Sequence, residues 1–199
     1  MATATLNPPA PATLRLMTVD EFWDFCQLPE NENRQLELIC GEVVEMSRPL
    51  PPHGIASANI GFELMLWGRR NRVVGYIATG DSGVILRRDP DTLVGPDAAY
   101  FSAAKAPTHC GDVAPVLAVE VLSPNDRPGR VDAKVRQYLD AGTRVVWLID
   151  SDDRTVAVYR PGRDFQILKR DEILSGEPEL PEFQCVVSHL FLQPGEFPA

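Results

Sequence analysis

The chain has little of what would mark it as secreted, membrane-spanning or a coat for nucleic acid. Its four cysteines (Cys26, Cys40, Cys110 and Cys185) are scattered through 199 residues with no CxxC pair. That spacing argues against a disulfide framework or a structural zinc site and leaves small packed thiols. No apolar run approaches the ~20 residues needed to cross a bilayer. The N-terminus also lacks the basic-then-apolar order of a secretory signal. A soluble cytoplasmic protein is therefore expected. Positive charge is scarce: 19 Lys and Arg stand against 28 Asp and Glu, a net charge of −9. This argues against a nonspecific coat that replaces phosphate counterions through a basic face. It does not exclude an enzyme acting on nucleic acid, because local clusters such as WGRRNR (67–72) survive the averaging. No Walker A loop or dinucleotide glycine fingerprint occurs, and Ser123 sits in no G-x-S-x-G turn.

What is present suits an ordinary globular chain, 44% apolar and 24% charged. Residues 1–15, MATATLNPPAPATLR, are Ala/Pro/Thr-rich and aperiodic, and are expected to be a disordered lead-in to one domain over 16–199. Thr18 followed by Glu21 has the spacing of a capping box and predicts a short helix. QLELIC and EVVEMS, split by Gly41, predict a hairpin. HGIASANIGFELMLWGRRN predicts a long amphipathic helix whose apolar stripe is Ile55, Ala58, Phe62, Met65 and Leu66. Strands are predicted at VVGYIA, SGVILRR, DAAYF and PVLAVEVL. A loop follows at SPNDRPG, then a helix at RVDAKVRQYLDAG with Val131, Val135, Tyr138 and Leu139 as its stripe, and a buried strand at RVVWLID. TVAVYRP and DFQILK predict a closing antiparallel pair. Strand, helix and strand in succession predict a right-handed parallel crossover. The fold class is α/β, a mixed sheet flanked by helices.

The informative anomaly is Glu120, a carboxylate inside the apolar run PVLAVEVL. An unpaired ionised carboxylate in a core costs several kcal/mol, so the fold must give it a partner, a proton or an opening. It lies near the carboxyl end of its strand, where α/β sheets open crevices for ligands. Asp97, directly after Pro96, starts the neighbouring candidate strand. If the two strands pair, both carboxylates can converge on one Mg²⁺ completed by a backbone carbonyl and waters, the chemistry of phosphodiester cleavage. A structural ion pair is the competing reading of Glu120.

These residues, a PD followed by a strand bearing Glu and then a lysine, resemble the PD-(D/E)XK nuclease superfamily. The wider pattern (QLELICGEVVEMS, PPHG, GPDAAYF, PVLAVEVLSPND, DAKVRQYLDAG, RVVWLID) is similar to its restriction-endonuclease-like branch, carried as a domain of unknown function. The resemblance spans about Met17 to Tyr159. It implies a restriction-endonuclease-like fold and an endonuclease that uses Mg²⁺ (or Mn²⁺), with DNA as its partner and a homodimer for cutting both strands. Asp97 and Glu120 would be the metal ligands. Leu122 departs from the pattern, standing where the superfamily has its lysine. The literal D-x-K at Asp132 and Lys134 is on a helix, where residues two apart diverge. The resemblance therefore implies that Lys134 supplies the missing amine from the helix, over Glu120 and Asp97. The competing readings of Lys134 are a surface lysine or a metal-free salt bridge. Glu37 matches an N-terminal acid that completes the metal shell, against an exposed strand carboxylate. His53 matches a phosphate or water contact, against a helix cap. Trp147, Tyr138 and Tyr159 read as core or interface aromatics. Because of Leu122, a nuclease fold that binds without cutting stands as the alternative function.

Overall fold

The computed structural model describes residues 16–103, 105–123 and 128–197. The expected lead-in and most of the SPNDRPG loop lie outside these. Thr18 caps α1 (Val19–Cys26): its hydroxyl accepts from the Glu21 N–H, and the Glu21 carboxylate accepts from the Thr18 N–H. The hairpin forms as β1 (Leu36–Ile39) and β2 (Glu42–Glu45). Then come α2 (Pro51–Arg70), β3 (Tyr76–Thr79), β4 (Val84–Arg87), β5 (Thr92–Val94), β6 (Ala98–Phe101) and β7 (Leu117–Leu122). The chain continues through α3 (Pro128–Asp140), β8 (Val145–Asp150), β9 (Thr155–Tyr159), β10 (Gln166–Leu168), β11 (Ile173–Ser175) and β12 (Gln184–Val186), then a 3₁₀ turn at Val187–Phe191.

A six-stranded mixed sheet, ordered β10-β9-β8-β7-β6-β3, carries the fold. Its one parallel pair is β7 and β8, joined by α3 as the crossover. Helix α2 packs on one face, against Leu117, Val119, Val121 and Trp147. On the other face lie α3, through Val135 and Tyr138, and the four-stranded antiparallel sheet β2-β1-β5-β4. Strand β5 went unpredicted because TLV is only three residues long and runs straight into the GPD turn. Side chains alternate along β7, so Val119 and Val121 enter the α2 core while Glu120 faces α3.

Helix α2 corrects the sequence pattern. Its buried residues are Ala56, Ile60, Gly61, Leu64 and Trp67, whereas Phe62 is 63% exposed and Met65 40% exposed. The periodicity misled because apolar residues occupy both faces of this helix, and the stripe at 62 and 65 is the one turned outward. Removing a buried α2 side chain by Leu64→Ala is expected to lower the unfolding free energy by about 2–5 kcal/mol. Phe62→Ala should change it by no more than about 0.5 kcal/mol. Urea denaturation followed by circular dichroism checks this, and equal losses would contradict the assignment of faces.

Candidate active site

Asp97 and Glu120 line one cavity because β6 and β7 pair antiparallel with Ala98 opposite Val119, which sets Asp97 beside the next turn of the pleat on β7. There the Val121 N–H donates to Asp97 Oδ2 at 2.7 Å. In a strand the N–H and C=O of one residue leave by the same edge, so the Val121 carbonyl also points toward Asp97. The other oxygen, Asp97 Oδ1, lies 3.2 Å from His53 Nε2 and 3.3 Å from Ser57 Oγ, both on the first turns of α2. Ser57 Oγ is also 3.3 Å from His53 Nδ1. Ser57 has one hydroxyl proton, so all three contacts are hydrogen bonds together only when the ring is protonated on both nitrogens.

Lys134 and Tyr138, four residues apart on one face of α3, both reach Glu120. Lys134 Nζ donates to Glu120 Oε2 at 2.8 Å, and the Tyr138 hydroxyl donates to Glu120 Oε1 at 2.6 Å. Lys134 Nζ also donates to Glu37 Oε1 at 3.0 Å. The amine thus bridges Glu120 and Glu37, where the sequence led us to expect Glu120 and Asp97. Glu37 is buried and takes a second hydrogen bond, 2.9 Å from the Gly95 N–H. Its pairing to β5 turns it inward, contrary to the exposed-carboxylate reading. Tyr138 is fully buried with its hydroxyl in this network, a role that reading it as a core aromatic missed. Its spacing four residues after Lys134 was the available signal. Asp132 stays apart, exposed, beside a surface depression shared with Asp150, Asp152 and Asp153. Leu122 lies half-buried in the cleft between the β1–β2 hairpin and α3.

Glu37, His53, Asp97, Glu120 and Lys134 line an open cavity of ≈ 220 Å³ that also receives Asp81. No sequence motif pointed to Asp81, which has a left-handed backbone (φ 58°) and accepts weakly from Gln35. Gly95 is required beneath it, since a Cβ there would fall 2.8–3.0 Å from the Asp81 backbone. Burial, with the nearby Asp97, raises the Asp81 carboxyl above its usual range. Burial, then Glu37 and Asp97, lifts Glu120 to about 7 against the pull of Lys134. Burial alone would lower Lys134, but Glu120 and Glu37 more than offset it and the amine is held protonated. Burial and the Glu120 charge raise Tyr138 well above its ordinary value. Negative charge therefore outweighs the one lysine. Among the described residues no three carboxylate, histidine or cysteine side chains already form a metal cage. Two carboxylates, a strand carbonyl and waters nevertheless fit the way Mg²⁺ is held, and the surplus negative charge favours a cation.

Folded, Glu120 keeps its proton to about pH 7, whereas unfolded it would release it near 4.5. The folded state binds more protons in that window, so Glu120 makes stability fall as pH rises through it. Glu120→Gln is accordingly expected to remove this contribution, so its unfolding free energy should fall less than that of the wild type between pH 4.5 and pH 8. Urea titrations at the two pH values measure this, and an equal pH dependence in the variant would contradict it.

Comparison with known proteins bears on the family and the fold. The model of the Uma2 family, described as "Putative restriction endonuclease", matches residues 22–188. The crystal structure of a "putative nuclease belonging to DUF820" from Anabaena variabilis ATCC 29413 superposes with a TM-score of 0.73 at 24% identity, covering 88% of this chain and 97% of that one. That likeness shows a shared fold, the restriction-endonuclease-like α/β arrangement. No curated protein matches the chain. With residues 22–188 matched, most of its length, the chain belongs to the Uma2 family.

Proposed function

We propose that this chain is a divalent-metal-dependent endonuclease that hydrolyses phosphodiester bonds, with DNA as its substrate. The observation that carries this reading is that Asp97, Glu120 and Lys134, the last from the helix after β7, line one cavity. Asp97, Glu120 and the Val121 carbonyl would hold Mg²⁺ or Mn²⁺, which when bound polarises the phosphoryl group and makes water more acidic. The remaining roles belong to the chain itself. Lys134, held protonated, offsets charge building on the phosphate and orients the attacking water. Glu37 fixes the lysine from the small sheet, Tyr138 fixes the rotamer of Glu120, and His53 with Ser57 fixes Asp97.

A nuclease fold that binds without cutting is favoured by a separate observation: Lys134 is already engaged by two carboxylates, and Leu122 stands at the usual lysine position. Incubating supercoiled plasmid with and without Mg²⁺ or Mn²⁺ separates the two readings. The nuclease should nick or linearise plasmid only with metal. Asp97→Ala and Lys134→Ala should each lose at least about 100-fold in rate. Cutting indifferent to Asp97→Ala would remove the assignment. No cutting together with no calorimetric metal binding would favour the binding protein.

A further inference from the structure

The outward face of α2 has no covering element among the described residues, yet it is apolar. Phe62 and Met65 lie three residues apart on it, and exposed large side chains grouped beside a site mark contact surfaces more often than isolated ones do. They line a groove of ≈ 490 Å³ whose other walls include Ser57, Gly61, Arg69 and Asp97. Asp97 lines both the cavity holding Glu120 and this groove, so the two adjoin at that residue. From Ser57 to Arg69 the helix rises about 18 Å at 1.5 Å per residue, a span of a few nucleotides. The far end is cationic, with Arg69, Arg70 and Arg72 all exposed.

We propose that this face is a track for an unpaired nucleic-acid strand leading away from the active site, with Phe62 stacking on a base and Arg69 contacting a phosphate. The proposal rests on the nuclease reading and specifies its substrate as a strand single-stranded beside the scissile bond. Stacking on an exposed ring needs a free base face, which a duplex hides. The few cations on an otherwise acidic chain suit a short run of phosphates better than a wrapped duplex. A second copy of the chain seated here would cover the approach to Asp97, whereas a substrate strand uses it.

Phe62 and Arg69 are exposed, so their variants should fold. Binding of fluorescent single-stranded and duplex oligonucleotides is measured by anisotropy with Mg²⁺, in the Glu120→Gln background that holds cleavage off. Single strand should bind more tightly than duplex. Phe62→Ala should weaken single-strand binding roughly 5- to 100-fold, with Phe62→Trp retaining it. Arg69→Gln should reduce the log–log salt slope by about 0.7. With Glu120 restored, Phe62→Ala should raise KM on single strand more than it lowers kcat. Single-strand binding and KM unaffected by Phe62→Ala would overturn the track while leaving metal-dependent cutting intact. Phe62-dependent binding without any cutting would keep the track and remove the nuclease. A chain that neither binds nor cuts removes both. A dimer that Phe62→Ala dissociates, with strand binding unchanged, would assign the face to a second copy and overturn the proposal.

Discussion

One ammonium largely withdrawn from water, that of Lys134, is shared by Glu120 and Glu37, and much of the molecule is arranged around it. Glu120 belongs to the central sheet, Glu37 to the small antiparallel sheet, and the lysine to the helix between two parallel strands. A charge taken out of water is tolerable only with close partners and further hydrogen bonds. Here the partners come from separate layers, so the contact also joins those layers. Because the lysine comes from α3, the same helix also brings the Tyr138 hydroxyl onto Glu120.

The balance of charge is deliberately incomplete in its effect, whatever its origin. Glu37, Glu120, Asp97 and Asp81 share one cavity, and the raised carboxyls of Glu120 and Asp81 reflect burial first and that crowding second. Sites tuned for chemistry commonly carry such a stability cost. The surrounding groups limit it by geometry. The Val121 N–H, Ser57 and His53 engage Asp97, the Tyr138 hydroxyl engages Glu120, and the Gly95 N–H engages Glu37. Each acid is thereby aimed, the kind of outer support that governs how well a site works.

Much of this was legible in the residues. Glu120 was conspicuous because a carboxylate in an apolar strand demands explanation, and the crossover from β7 through α3 to β8 followed from alternation and turn chemistry. Pairing of Asp97 with Glu120 needed only adjacent strands. Other features depended on contacts distant in sequence. Glu37 reads as exposed until β5 pairs beside β1, and β5 is too short to announce itself. Asp81 carries no motif, and only folding brings its loop over Gly95. Helix α2 was placed correctly but rotated, because a helix apolar on two sides offers periodicity no single answer.

The close approach at Gly95 has an implication for how this cavity can change. There is no room for even a methyl group between residue 95 and the Asp81 backbone, so the connection leading to Asp97 and the bend carrying Asp81 are in direct contact. Any larger residue at 95 requires the Asp81 bend to give way, and with it this wall of the cavity.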